Sequence, residues 1–266
     1  MMVDTSQQES YLVFLRQRKA QIFQKMEEAA KRSGRGIDDI QAVAVSKTVD
    51  VDQVVLASQA TWEHFAENRP QELNRKLEGL SALGLLGQGD DGRAPAITFD
   101  MIGHLQTNKI NSILGKCRLI HSVDSTHLAQ AIDSRVATRF QDLVAAGDDV
   151  KERCLLEVNV SGEATKGGFT PDEVRRLFQG QVQSWDHLQV CGFMTMAPRG
   201  DADAARRTFA GLKRLQQSII QELGDEGAQL EILSCGMSDD FEIAIEEGSN
   251  LVRLGRIVFD PSYNLS

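Results

Sequence analysis

A lysine closes an apolar run early in the chain: Ala42-Val43-Ala44-Val45-Ser46-Lys47-Thr48. At the end of a buried strand, a lysine keeps its stem among apolar neighbours and its amine near solvent. Desolvation favours the neutral, nucleophilic form of an amine, so this placement suits a Schiff base with a carbonyl compound. The plainer alternative is a lysine that snorkels from a strand end into water. Near the other end stand Ser234, in Leu233-Ser234-Cys235-Gly236-Met237-Ser238-Asp239, and the run Val252-Arg253-Leu254-Gly255-Arg256. A hydroxyl and the backbone N–H groups of Gly255 and Arg256 are donors of the kind that hold a phosphate. Gly255 permits close backbone approach, or else marks a strand kink. Arg253, beside an apolar strand, requires an acceptor; an anionic ligand or Asp239, Asp240 or Glu242 would serve. His104 and His121 suit acid–base work or simply satisfied polar positions.

These groups must be positioned by secondary structure, and the apolar pattern supplies it. Eight short runs read as strands: Gln41–Thr48, Trp62–Glu67, Ile97–Gly103, Leu119–Asp124, Cys154–Val160, Leu188–Met196, Leu230–Gly236 and Leu251–Phe259. Most are continuous and not alternating, as in parallel strands buried on both faces. Helical stretches separate them: Asp52–Gln59, Gln71–Glu78, Lys109–Leu114, Thr126–Ala146, Pro171–Gln181, Ala204–Leu223 and Asp239–Glu247. A further helix precedes them all, with Leu12, Leu15, Ile22, Met26 and Ala29 on one stripe of Glu9–Arg32. Thr170-Pro171-Asp172-Glu173 and Ser238-Asp239-Asp240 carry helix-start signals. Gly84–Pro95 reads as a surface loop.

Eight strands alternating with helices predict an α/β fold, a single (β/α)8 TIM barrel with an extra N-terminal helix. One domain spans 1–266, the leading helix within 1–36 and the barrel over 41–260. An open doubly wound sheet is the alternative, but its glycine-rich first turn is missing. In a barrel the site lies at the C-terminal strand ends, where Lys47, Glu67-Asn68, His104, Asp124, Asn159, Met194, Ser234 and Arg253 all fall.

Composition narrows the function. Against 38 Asp+Glu there are 29 Lys+Arg, a net charge of −9, which argues against a nucleic-acid partner but not against one small anion. Cys117, Cys154, Cys191 and Cys235 are far apart, and no His/Cys spacing predicts a metal site. Unpaired cysteines, no signal-like start and no long apolar run point to a cytoplasmic protein without a membrane partner.

The motifs in order resemble the pyridoxal 5′-phosphate (PLP) homeostasis proteins, relatives of the barrel half of alanine racemase. They are Ala42–Thr48, Glu67-Asn68 with Gln71-Glu72, Ile102–Lys109, and His121-Ser122-Val123-Asp124. Val158–Glu163 with Lys166, Gly192–Met196, Leu233–Glu242 and Val252–Gly255 complete the set. The resemblance implies that Lys47 holds PLP as an aldimine and that Ser234, Gly255 and Arg256 take its phosphate. It also implies that Arg253 approaches the pyridine nitrogen, weakening the cofactor as an electron sink, and that Asn68, Met194 and Met237 line the pocket. Lys166 matches a basic family position. Three positions depart from the family: Ala66 for Gly, Arg256 for a small hydroxyl residue, and Asp260-Pro261 after Phe259.

The expected role is a PLP-binding regulator or carrier, without catalytic residues of its own, that holds the aldehyde and passes it to apo-PLP enzymes. A monomer is expected. The alternative is an amino-acid racemase. Racemases of this barrel type draw a tyrosine base from a second domain, and here the tyrosines are Tyr11 and Tyr263. A lysine-dependent aldolase acting on a sugar phosphate is the third reading.

Overall fold

The structure, a computed structural model, describes residues 5–86, 97–163 and 166–265. Eight parallel strands close into a barrel in sequence order: β1 (Gln41–Val45), β2 (His64–Glu67), β3 (Thr98–Met101), β4 (Leu119–Val123), β5 (Glu152–Glu157), β6 (Leu188–Met194), β7 (Ile232–Ser234) and β8 (Leu251–Leu254). Closure is made by β8 against β1, from Gln41 beside Leu251 to Ala44 beside Leu254. Around the strands run α1 (Thr5–Arg32), α2 (Val51–Gln59), α3 (Pro70–Ala82), α4 (Thr126–Arg139), α5 (Gln141–Ala145), α6 (Pro171–Arg176), α7 (Ala202–Leu223), α8 (Phe241–Glu246) and α9 (Arg256–Phe259). The α/β barrel with a preceding helix is the fold that the alternation predicts.

The continuous apolar runs have a simple cause. On β1, Ala42 and Ala44 join the large cluster between strands and helices, while Val43 and Val45 join a separate cluster inside the barrel. Ala66, Leu119, Leu155, Cys191, Met194 and Leu251 complete that interior cluster. Cys191 and Met194 are three residues apart, yet alternation would put them on opposite faces. A register shift in β6, where Cys154 pairs with Val190 but Leu156 with Phe193, inserts the extra residue that restores Met194 to the interior. Gly192 makes this geometry: its φ is +144°, and a Cβ there would stand 2.0 Å from the Ile232 carbonyl oxygen.

Five expected elements differ. The helix expected over Lys109–Leu114 is a short 3-10 helix, Thr107–Ser112. The last run is a strand only to Leu254; the chain turns at Gly255 and continues as α9. The helix expected over Thr126–Ala146 breaks at Phe140 into α4 and α5. The helix begun by the Thr170–Glu173 capping box is regular α only to Arg176. Ser238 does not cap α8; Asp240 precedes that helix, and Ser238 serves α9 instead. Most of the expected Gly84–Pro95 loop lies outside the described residues. On α1 the predicted stripe is buried at Leu15, Ile22, Met26 and Ala29, with Arg18 buried in its gap.

Candidate functional site

Lys47 stands just beyond β1, at the C-terminal end of the barrel where the fold places a site. Contrary to expectation, it is exposed rather than partly buried. Its backbone is held more firmly than its side chain. Ser46, immediately before it, is fully buried; Ser46 N–H donates to the Ala66 carbonyl at 3.0 Å, and its Oγ donates to Glu67 Oε1 at 2.6 Å. Lys76 of α3 donates to the Ser46 carbonyl at 2.6 Å and pairs with the same Glu67 oxygen. Both Lys76 and Glu67 have side chains with no solvent exposure. Beside them Asn68 is half-buried, and Gly103 packs so closely on its backbone that a Cβ would lie 2.0 Å from the Asn68 carbonyl oxygen.

A hydrogen-bonded chain crosses the barrel interior below the mouth. Arg118 donates to both Asp100 oxygens, at 2.9 and 2.7 Å. His121 Nε2 lies 3.0 Å from Asp100 Oδ2, and His121 Nδ1 lies 2.9 Å from Ser234 Oγ. Arg253 donates through Nη1 to Ser234 Oγ at 2.5 Å and to the Ser234 carbonyl at 2.7 Å, and through Nη2 to the Thr195 carbonyl at 3.2 Å. Burial alone would raise the Asp100 carboxyl. Hydrogen bonds from His121 and Arg118 outweigh burial and hold it below its ordinary value. Burial pulls His121 below its ordinary value, against the opposing pull of Asp100. An ionised Asp100 only accepts, so His121 carries its proton on Nε2 and accepts at Nδ1. Ser234 then donates to His121 and accepts from Arg253, so each link from Arg118 to Arg253 pairs a donor with an acceptor.

Ser234 therefore does not occupy the place expected of a phosphate ligand. It has no solvent exposure, and its hydroxyl is directed into the barrel. Ser238, which the motif reading passed over, is the hydroxyl at the rim: its Oγ accepts from Ile257 N–H at 3.3 Å, on the turn that Gly255 and Arg256 open. Gly255 sits against β1, where an added Cβ would be 3.5 Å from Val45 Cβ. The Arg256 side chain turns away, bonding Asp239 at 2.7 Å and lying over the Tyr263 ring. Tyr263 in turn donates to the Ser238 carbonyl and to Asp239, and burial and that carboxylate push its phenol up to about 12.

The leading helix holds this turn from behind. Arg18 Nη1 donates to the Ile257 carbonyl at 3.1 Å and the Tyr263 carbonyl at 3.0 Å, and Tyr11 donates to the Phe259 carbonyl at 2.8 Å. A four-residue helix leaves its last carbonyls without internal partners, and α1 supplies them.

Comparison with known proteins places the chain in a family. Residues 18–262 match the model described as alanine racemase, N-terminal domain. The pyridoxal phosphate homeostasis protein of Aquifex aeolicus is 33% identical over 244 residues, which cover 91% of this chain and 96% of that protein. The chain belongs to the pyridoxal phosphate homeostasis protein family. Among solved structures, an unknown protein from Bifidobacterium adolescentis superposes with a TM-score of 0.82 at 32% identity, covering 97% of this chain and 98% of that one. PipY of Synechococcus elongatus PCC7942, solved with PLP bound, has a TM-score of 0.70 at 28% identity, covering 87% of this chain and 99% of PipY.

The remaining residues expected from the homeostasis-protein motifs are spread around the same rim. Met194, 2% exposed, closes β6, and Met237 is half-buried beyond β7. Lys166 bonds Glu163 at 2.8 Å and reaches the Met196 carbonyl at 3.5 Å. His104, on the rim, pairs with Asp124 at 3.0 Å. Besides Ser238, four residues of the site escaped motif reading. Lys76 falls on the buried stripe of α3 with Leu73 and Leu80, a charge where an apolar residue belongs. Asp100 likewise interrupts an apolar strand, and both anomalies are visible before folding. Arg18 and Arg118 carried no such signal. Among the described residues no cluster of His, Cys, Asp and Glu could hold a metal, and no helix is long and apolar enough to cross a membrane.

Proposed function

We propose that this protein binds PLP as a Schiff base with Lys47 and serves in intracellular PLP homeostasis, holding the aldehyde and releasing it to apo-PLP enzymes without turnover of its own. What carries the reading is the donor set on the adjacent strands β1 and β8: an exposed amine at Lys47 and, beside it, the Gly255–Ile257 turn with the buried guanidinium of Arg253 below. That set fits the cofactor, with an amine for its aldehyde, backbone and Ser238 donors for its phosphate, and a cation for its ring nitrogen. Asn68, Met194 and Met237 would wall the ring. PLP bound there would supply an electrophilic aldehyde carbon for the Lys47 amine.

This chain's residues favour holding over catalysis. Arg253 cannot give up its proton, and its three hydrogen bonds fix it in place; a cation facing the ring nitrogen disfavours the protonated ring that stabilises carbanions. Both tyrosine hydroxyls are committed elsewhere, Tyr11 to Phe259 and Tyr263 to Ser238 and Asp239. Arg256, held by Asp239, adds no side-chain charge to the phosphate turn, which leaves backbone N–H groups and Ser238 to bind it.

The test is the absorption spectrum with PLP, before and after borohydride. A visible band that borohydride abolishes, with label retained on Lys47 and absent from Lys47→Ala, supports the reading. A colourless protein that PLP cannot reconstitute overturns it. Sustained interconversion of L- and D-amino acids above a PLP-only blank would make it a racemase. Borohydride trapping of a sugar phosphate but not of PLP would make it an aldolase.

A further inference from the structure

Lys47 is exposed, so packing does not aim its side chain; aim must come from its backbone. The peptide before it is anchored on several sides. Ser46 N–H donates to Ala66, and the Ser46 carbonyl accepts from Lys76 Nζ at 2.6 Å and from Val49 N–H at 3.0 Å. Glu67 holds Lys76 in turn and also accepts from the Ser46 hydroxyl. Each of these side chains is fully buried, and the second Glu67 oxygen, Oε2, is buried with no partner.

Such an arrangement is poor value as a source of stability. A buried ion pair of this kind is often no better than apolar residues of similar volume, and an unsatisfied carboxylate oxygen makes it worse. An apolar pair at 67 and 76 would fill the same space but would remove the Lys76 bond to the Ser46 carbonyl and the Glu67 bond to the Ser46 hydroxyl, leaving Val49 N–H on the one and a long 3.4 Å contact with the Ala66 carbonyl on the other. What the pair adds to the backbone anchors is a hold from side chains of β2 and α3 on the Ser46–Lys47 peptide.

We infer that Glu67 and Lys76 are positioning residues for Lys47, a buried ion pair that aims the amine by gripping the peptide in front of it. The inference rests on the reading of Lys47 as the PLP-binding amine. In that step the neutral amine nitrogen adds to the aldehyde carbon, and the carbonyl oxygen leaves as water carrying two protons that both come from the amine nitrogen, one transferred on addition and one on dehydration. Addition depends on the approach of nitrogen to carbon, and a misplacement near 1 Å costs about 100-fold.

Pyridoxine 5′-phosphate separates positioning from general damage, because it has the ring and phosphate but no aldehyde. The full-length protein, Lys47→Ala, and the double variant Glu67→Gln/Lys76→Met are titrated with PLP and with this analogue, alongside thermal unfolding. The double variant removes both charges together, so neither is stranded. The expected result is a PLP affinity weakened tenfold or more and slowed adduct formation, with analogue affinity within twofold of the parent. Equal loss for both ligands, or unchanged PLP binding, overturns the inference. Should the double variant fail to fold, Ser46→Ala, which removes only the hydroxyl bond to Glu67, is expected to weaken PLP about threefold and leave the analogue unchanged. PLP binding by Ser46→Ala at parental affinity overturns it. If the parent itself forms no adduct with PLP, the reading of Lys47 fails, and the inference with it.

Discussion

Ser234→Ala separates two roles for one hydroxyl. A serine that merely bonds a phosphate can be lost with little effect on stability. Here Ser234 Oγ bridges His121 Nδ1 at 2.9 Å and Arg253 Nη1 at 2.5 Å inside the barrel. Its removal strands His121 Nδ1, an acceptor with no other partner in reach of water. A buried polar group so stranded costs about 1–3 kcal/mol, and a hydrogen bond to a charged group contributes about 1.5–3. Arg253 keeps the Ser234 and Thr195 carbonyls, so the second cost is only partly incurred. The total is about 3 kcal/mol, or roughly 6–12 °C in Tm for a chain of this size. Urea and thermal unfolding without ligand measure it. His121→Phe removes the same contact, so the double variant is expected to cost at least about 1 kcal/mol less than the sum of the singles. A Ser234→Ala cost under about 0.5 kcal/mol, typical of an exposed site, or strict additivity with His121→Phe, would refute the interior chain as the hydroxyl's main role.

Acid should weaken the fold. With His121 held below its ordinary value, the unfolded chain takes up a proton below about pH 6.5 that the folded chain refuses, so stability falls with pH by about 1.4 kcal/mol per unit. Asp100, also held low, adds loss in the same direction below about pH 4. Glu152, Glu157 and Asp240, raised by burial, act oppositely, so the decisive comparison is with His121→Phe, whose urea midpoint is expected to be flatter between pH 6.5 and 5. An identical profile in that variant refutes the assignment. Three of the native thiols are expected to be inert to Ellman's reagent: Cys154, Cys191 and Cys235 are buried, unlike the partly exposed Cys117, and burial pushes the Cys235 thiol up to about 12. Four thiols should react in denaturant, and two or more reacting at once in the native protein would contradict the packing. Gly192→Ala is expected to cost about 3 kcal/mol through its clash with the Ile232 carbonyl, whereas Gly167→Ala, in open space, should stay within about 0.5. Equal unfolding midpoints for the two would refute the β6 bulge.

How much could be read in advance depended on range. The eight strands were legible because a strand buried on both faces must be apolar throughout, and Val43 and Ala44 illustrate both faces. The end of β8 was not, because Ile257-Val258-Phe259 is as apolar in a buried short helix as in a strand. Lys47, Arg253 and Gly255 stood out as strand-end residues. Where a hydroxyl points was not legible: Ser234 and Ser238 lie four residues apart in one motif, yet one faces inward and the other faces α9. Lys76 became meaningful only once α3 had been laid across β1 and β2.

The grip of α1 on α9 has a consequence for how the protein is made. Tyr11 and Phe259 are 248 residues apart, and the carbonyls that Arg18 binds lie almost as far along. On a ribosome, the first helix emerges long before the turn it will hold exists. A chain halted before β8 has Lys47 but neither Arg253 nor the Gly255 turn, and its barrel is open. On the proposed reading, capture of the ligand would thereby be reserved for finished molecules, and a truncated product would not hold the aldehyde tightly.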